Sequence, residues 1–469
     1  MDNKLDACLK TLKDLSETLG LDLFVVGGTV RDLVMGRPAA DYDFVCRDAP
    51  RLARQFASRI ECPLVPLDDT PGRETYRAVV RKDFYFDFSQ MQGQNIHADL
   101  SRRDFTFNAM AIPLDDFLQG KSSVIDPHRG KEDLRNRAVR VLPGSAFSDD
   151  PLRTLRAFRF ASACKFDIES RTLAQIAEHA PLLSRVAAER IYYELLLFLD
   201  GEDTFALLDS MDRTGLLATL LPEVPALRLV RDDRTGLDAW QHTLKTYRTA
   251  ESYLQKPETL FPEKPGALSQ FLEGKGRPLL KLAALLSRLN DAPIERVPDK
   301  TQERKSRTHG EFAMNRFRAS NADIAFVERT LGCSREALAS GLKFAGPERD
   351  ESSLYYFAKR WGKELTPGLL LAGADHAVRS GISELRENPL APAVQNAFEF
   401  YANVFVPAQR SPALLTGGDL AKRFKLAPSP VFKTILERVE EARVLGKIKT
   451  RQEAETLTQN LIDAERDRK

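Results

Sequence analysis

The stretch Leu23-Phe-Val-Val-Gly27-Gly28-Thr-Val-Arg31-Asp32, followed by Asp41-Tyr-Asp43-Phe-Val, constrains the fold more than any other. A short apolar run, two glycines and a helix-like pattern read as a strand, a tight turn and a helix start. Gly36 ends that helix. Asp41 and Asp43 then sit two apart in a second strand-like run, where i and i+2 side chains share a face. Two carboxylates side by side repel, and a divalent cation between them keeps both ionised. The Gly-Gly turn exposes backbone N–H groups to an anion. Arg31, on the first turn of the helix, is within reach of a triphosphate. Taken singly, Gly27-Gly28 is a tight turn and the aspartates are loop residues beside Arg37. Taken together they predict a metal site beside a phosphate cradle, the equipment of phosphoryl or nucleotidyl transfer.

At 469 residues the chain can bury a sizeable core in several domains. Its 43% apolar and 29% charged residues are those of a soluble globular protein. Lys and Arg number 69 against 67 Asp and Glu, so any nucleic-acid surface is a local patch. Cys8, Cys46, Cys62, Cys164 and Cys333 show no paired spacing. That argues against a disulfide framework or zinc cluster and fits a reducing, cytoplasmic setting. The polar start Met1–Asp6 lacks an apolar leader core, and no apolar run reaches the roughly 18 residues of a membrane span.

Residues 1–20 predict an amphipathic helix with Leu5, Cys8, Leu9, Leu12 and Leu15 on one stripe. From 21 to 142, apolar runs at 23–26, 44–46, 64–67, 76–80, 84–88 and 109–112 are punctuated by turn formers such as Asp69-Thr-Pro-Gly72. After Pro143-Gly144 helical periodicity takes over. Helices are expected at 149–164, 170–178, 184–200, 203–215, 238–255, 277–289, 320–331, 335–342, 352–361, 366–380, 391–404, 418–424, 430–445 and 451–464. Linker-like stretches fall at 256–278 and 292–310. The fold class is α+β, a mixed strand-and-helix head followed by an all-helical remainder.

A second polar block, Ser101-Arg102-Arg103-Asp104-Phe-Thr106-Phe-Asn108, precedes an apolar strand. Two readings are open. One is an ion-pair cluster capping the strand. The other is a clamp in which arginine grips phosphate and a carboxylate or amide holds ribose hydroxyls. A third block, Ser148-Asp149-Asp150-Pro-Leu-Arg153-Thr-Leu-Arg156, opens a helix. Ser148 is a natural N-cap, and the two aspartates suit the first turn by complementing the helix dipole. Asp150 and Arg153 are also i, i+3 neighbours on one face. A carboxylate accepts from an exocyclic amino group while a guanidinium donates to the adjoining ring acceptor. Cytosine and adenine offer that pattern; guanine and uracil do not.

In this order and spacing the blocks resemble the class II tRNA nucleotidyltransferase and bacterial poly(A) polymerase family. The likeness is dense over residues 1–200. It runs through Val26–Arg37, Asp41-Tyr-Asp43, Arg102–Ala111, Ile125–Leu134, Asp149–Phe160 and Ala188-Glu189-Arg190-Ile-Tyr-Tyr-Glu194-Leu. It implies a polymerase-β-like nucleotidyltransferase head at 1–144 and a base-recognising neck at 145–205. A helical body at 206–345 and a tRNA-binding helical tail at 346–469 follow. It implies Mg²⁺ on the catalytic pair Asp41 and Asp43, with triphosphate on Gly27, Gly28 and Arg31. Arg102, Arg103, Asp104 and Asn108 match the nucleotide clamp, Asp104 at the ribose-sensing position. Asp149, Asp150, Arg153 and Arg156 fall in the base-reading block. Asp126 and Gly130 match a flexible joint between head and neck. Asp87, in the run 83–88, is either a further acidic group beside the pair or a plain strand residue.

The implied activity is addition of C, C and A to the tRNA 3′ end from CTP and ATP, with loss of pyrophosphate. The partner is tRNA, at its 3′ end and acceptor and elbow region, with no membrane; oligomeric state has no sequence signal. Partial CC- or A-adding enzymes, a poly(A) polymerase and a non-catalytic tRNA-binding relative are the alternatives. The loop 68–76 is where a switch from C to A would be controlled. The end 463–469 carries no long polybasic run of the kind that favours processive synthesis. A pure binder has no need of two metal carboxylates. The chain departs from the pattern at Asp149, where a glutamate is usual, one methylene shorter in its support of Arg153. The body resembles a degenerate HD domain. Trp240-Gln-His242 matches its first metal-ligand helix, but Ser287-Arg288 stands where His-Asp would be. This implies a structural body without phosphohydrolase activity and a structural His242. Leu414–Lys425 and Gly446–Arg451 resemble bacterial tails, their basic residues either tracking tRNA phosphates or forming a solvated helical face.

Overall fold

The computed structural model describes residues 3–38, 41–82, 84–121, 123–261, 268, 272, 274–292, 308–340, 344, 350–382, 388–426 and 430–466. Most of the two linker-like stretches, Asp83, and the end of the helix expected at 335–342 lie outside the described residues. The chain forms two compact units, 1–198 with 206–220 and 199–205 with 221–469.

The first unit opens with α1 (Asn3–Leu19), which buries Cys8, Leu9, Leu12 and Leu15 as the stripe predicts. Next come β1 (Phe24–Val26), α2 (Gly27–Val34), β2 (Tyr42–Cys46), α3 (Ala49–Ile60), β3 (Leu64–Asp68), β4 (Thr75–Arg81) and β5 (Phe84–Gln90), with β6 (Ala111–Pro113) further on. The sheet order is β3-β4-β5-β2-β1-β6; β2 and β5 run parallel and the other neighbours antiparallel.

Strand alternation sorts the two faces of this sheet. On one face Phe44 stacks on Phe86 and Phe88 at centroid distances of 5.5 and 5.6 Å. Phe56 of α3 covers both phenylalanines at 5.2 and 5.3 Å. These fully buried rings anchor the middle strands. The opposite face carries Asp43, Asp87 and Arg77 level with one another on β2, β5 and β4.

The unit is completed by α4 (Ile96–Leu100), α5 (Leu114–Leu118), α6 (Gly130–Arg135), β7 (Ala138–Val139), α7 (Ala146–Asp149), α8 (Leu152–Cys164), β8 (Asp167–Ile168), α9 (Ser170–His179) and α10 (Ala188–Leu199). The helix expected at 149–164 is broken. A residue before proline is steered out of the α region, and Asp150, ahead of Pro151, is extended at φ −141°, ψ 94°. Asp149 therefore closes α7 and Asp150 belongs to neither helix. Ser148 is not the N-cap; it lies within α7, its Oγ 3.1 Å from His179 Nε2.

The second unit is built of helices, among them Ala239–Gln255, Gly276–Leu286, Asn321–Ser340 and Leu365–Arg379, which pack together. The helices expected at 320–331 and 335–342 are one. Gly332 sits mid-helix for packing, since a Cβ there would stand 2.5 Å from the Trp361 ring. Gly368 likewise meets Cys333, at 2.4 Å from a Cβ. Helices Gly417–Arg423, Pro430–Val444 and Arg451–Arg466 close a core of their own on Leu420, Ile435, Val439 and Ile462. Among the described residues no helix is long and apolar enough to cross a membrane.

Candidate active site

Gly27 has φ +65° and opens α2 with no side-chain cap. The first-turn N–H groups beyond Gly27, whose own N–H reaches Met110 O at 3.3 Å, have no intrahelical partner. A Cβ at Gly27 would lie 3.0 Å from Arg103 Nη1 and 3.4 Å from Asp43 Oδ2. One at Gly28 would lie 3.7 Å from the same Asp43 oxygen. Gly27, by its positive φ and this close approach, is thus what allows carboxylate, guanidinium and helix N-terminus to meet, whereas a Cβ at Gly28 would make ordinary contact.

Asp41 stands one residue ahead of β2 rather than inside it, and is exposed; Asp43 is within the strand and largely covered. Thr29 ties them to α2. Its Oγ1 donates to Asp41 O at 3.0 Å and accepts from Asp43 N at 3.0 Å. Burial, then the charge of Asp87, lifts the Asp43 carboxyl from 3.8 to about 6, against the pull of Arg103. Burial raises Asp41 as well, opposed by Arg77. Two carboxylates with this excess proton affinity fit a divalent cation, which removes the same repulsion that a proton would. Asp87, left open between two readings, is gripped by Arg77 through Nε at 2.8 Å and Nη2 at 2.7 Å.

The clamp residues form a connected network. Asp104 Oδ1 accepts from Phe105 N (2.8 Å) and Asn108 Nδ2 (3.0 Å), and Oδ2 from Arg156 Nη2 (2.7 Å) and Nε (3.1 Å). Burial alone would raise this carboxyl; the Arg156 charge and the hydrogen bonds hold it at about 2. All four acceptor positions are taken, so Asp104 anchors Arg156. Arg31 is fixed by Asp32 (2.9 and 3.1 Å) and Asn108 Oδ1 (3.2 Å). Arg103 is held by Asp99 Oδ2 at 3.2 Å.

On α8, Arg153 does not pair with Asp150, because Asp150 is off the helix. Arg153 donates instead to three carbonyls, those of Arg102 (2.9 Å), Arg103 (3.1 Å) and Ala146 (3.3 Å). Asp150 Oδ1 accepts from Leu152 N at 3.2 Å, and Oδ2 from Arg190 Nη2 of α10 at 3.1 Å. Asp149 accepts from Ser145 Oγ at 2.7 Å. Glu194, buried on α10, pairs with Arg156 at 3.0 Å and Arg159 at 3.1 Å.

All the residues expected at the site except Arg102 and Asp149 line one cleft of about 650 Å³, which Arg77, Arg159, Phe160 and Arg190 complete. Arg102 and Asp149 line an adjoining cleft of about 920 Å³ that shares Arg103, Asp150 and Arg153. The smaller cleft has seven arginines against four aspartates, a positive excess suited to a triphosphate. Sequence reasoning missed Thr29, Asp32, Arg77, Asp99, Arg159, Arg190 and Glu194 as site residues. Asp99, four residues before Arg103, and Asp32, next to Arg31, carry a local signal; the others act across the chain. At the expected joint, Asp126 accepts from the Gly130 and Lys131 N–H groups (2.6 and 2.9 Å), and a Cβ on Gly130 would lie 2.4 Å from Thr106 O.

In the second unit, buried His242 Nε2 lies 2.6 Å from Asp375 Oδ1, and Arg379 holds the other oxygen at 2.6 Å. Burial pushes the Asp375 carboxyl up, but those partners hold it below its ordinary value. Among the C-terminal helices, Arg423 pairs with Glu455 at 2.9 Å, and Arg451 with Asp419 and Glu455.

A glycine-opened helix start facing paired carboxylates on a mixed sheet, walled by arginines, defines a nucleotidyltransferase. Comparison with known proteins narrows the class. The poly A polymerase head domain matches residues 23–140, and the probable RNA and SrmB-binding site of polymerase A matches 165–227. The CC-adding tRNA nucleotidyltransferase of Thermus thermophilus is 30% identical over 446 residues, 92% of each chain. That of Geobacter sulfurreducens is 42% identical over 183 residues, 39% of this chain and 41% of the relative. A solved CCA-adding enzyme with ATP has the same fold, with TM-score 0.69 and 20% identity over 100% of this chain and 95% of that one. The chain belongs to the tRNA nucleotidyltransferase family, whose members generally use a divalent metal.

Proposed function

We propose that this protein adds C, C and A to the 3′ end of tRNA in the cytoplasm, from CTP and ATP, with release of pyrophosphate. One observation supports this most. Asp41 and Asp43, the Gly27–Gly28 helix start and the base-edge groups Asp150 and Arg153 all line one cleft. In this reading chemistry and base choice share a site, as addition without a nucleic-acid template requires.

In this reading the first turn of α2, Arg31 and Arg103 hold the triphosphate, their guanidiniums pre-set by Asp32 and Asp99. Asp41 and Asp43, their backbone tied to α2 by Thr29, would hold Mg²⁺. When bound, that ion would ease loss of the tRNA 3′-hydroxyl proton to solvent and balance charge on the leaving pyrophosphate. The hydroxyl oxygen bonds to the α-phosphorus and the α–β P–O bond breaks. Asp150 accepts from the amino group of cytosine or adenine, and Arg153 donates with the N–H groups it does not spend on carbonyls. The helical body and tail hold the tRNA, with head, neck, body and tail at 1–144, 145–205, 206–345 and 346–469.

A CC-adding enzyme is the second reading, favoured by the name of the Thermus relative that matches along nearly the whole chain. Purified protein offered tRNA ending before CCA, after C and after CC, with CTP, ATP or both, separates them. Completion of all three substrates supports CCA addition. Arrest after the second C, with no A added to the CC substrate, replaces it with CC addition.

A further inference from the structure

Asp150 presents a single oxygen to the cleft that Leu152 does not occupy, and a cation already sits on it. Oδ1 caps the start of α8 through Leu152 N at 3.2 Å. Oδ2 is bound by Arg190 Nη2 at 3.1 Å, and Arg190 also lines the cleft. The side chains of the pair are 56% and 27% exposed. Arg153, by contrast, is immobilised by three backbone carbonyls and does not touch this carboxylate.

We infer that Arg190 is a selectivity-tuning residue that occupies the base-accepting oxygen of Asp150 until the amino group that cytosine or adenine carries beside its ring acceptor on the Watson–Crick edge replaces it. The inference rests on the base-reading role proposed for Asp150. An exposed ion pair contributes at most about 1 kcal/mol, a factor of about five in affinity. CTP and ATP exchange that contact for a hydrogen bond from their own amino group. UTP and GTP bring no amino group to that edge position, so the Arg190–Asp150 pair stays closed beneath them. Arg190 thus weakens the nucleotides that displace it and spares the others, so it narrows the C-over-U difference that Asp150 sets. Asp150 can trade partners because its extended backbone, set by Pro151, keeps it off the helix.

The experiment is steady-state incorporation by the full chain on truncated tRNA, with CTP, ATP and UTP each varied, for wild type, R190A, R190K, D150N and R190A/D150N. The expected result for R190A is a KM for CTP lowered by up to about fivefold with the KM for UTP unchanged, so that C-over-U selectivity rises. R190K returns the KM for CTP most of the way to wild type, and R190A has no further effect once Asp150 is Asn. A KM raised equally for all nucleotides makes Arg190 a phosphate ligand and overturns the inference; unchanged KM values overturn it too. D150N tests the underlying reading separately. If D150N keeps wild-type selectivity, Asp150 does not read the base. If D150N loses selectivity while R190A leaves it unchanged, only the role of Arg190 fails.

Discussion

Asp43 on β2 stands level with Asp87 on the parallel neighbour β5, and the charge of Asp87 helps lift the Asp43 carboxyl to about 6. Arg77, one strand further, binds Asp87 through two hydrogen bonds. The site is therefore built with a surplus of negative charge at one point, partly offset from the side. Like charges level on adjacent strands destabilise a sheet, so the pair carries a cost that the site, not the fold, accounts for.

That surplus has a stability consequence. A carboxyl whose pKa is higher folded than unfolded contributes stability at low pH and loses it as pH rises from about 3.8 to about 6. Asp43→Asn should therefore abolish incorporation while raising the melting temperature of the metal-free protein at pH 8, by about 3 kcal/mol of stability. At pH 4 the two should melt alike. Thermal melts in EDTA at both pH values check this; a destabilised Asn variant at pH 8 contradicts it.

Protons and metal compete for the same pair. Below pH 6, Mg²⁺ should bind more weakly and the rate should fall. Raising Mg²⁺ should move the acid limb of the rate profile to lower pH. An acid limb unmoved across a hundredfold range of Mg²⁺ would assign it to another group.

Arg77→Met leaves Asp87 as an uncompensated neighbour. The acid limb should shift upward, and Asp87→Asn in the same chain should reverse the shift. Failure of the second change to rescue would mean Arg77 acts on the substrate instead.

Thr29→Val removes one hydrogen bond to each aspartate's backbone, costing about 1–3 kcal/mol per orphaned group. We expect kcat to fall about 10- to 100-fold with little change in the KM for CTP, and Thr29→Ser to recover most of it. A KM effect alone would place Thr29 in nucleotide binding rather than in setting the metal carboxylates.

Much of this architecture is legible in the residues. The Gly-Gly turn, the strands and most helices follow from periodicity and turn chemistry, because Gly27 and the aromatic alternation of β5 encode local geometry. The break at Asp150 was also encoded, in Pro151, but the acidic first-turn pattern outweighed it. The fused helix Asn321–Ser340 was hidden because Gly332 serves Trp361, a contact with no local signature. The partners of the site residues were least legible. Arg190 reaches Asp150, and Arg156 reaches Asp104, across forty to fifty residues, and only the fold selects which charges meet.

Sequencing tRNA 3′ ends after incubation with all four nucleoside triphosphates at equal concentration tests the central claim most directly. One cleft that performs transfer and chooses the base predicts C, C and A on every extended end with wild type and no extension with Asp43→Asn. Long A tracts, incorporated U or G, or extension by the Asn variant would contradict it.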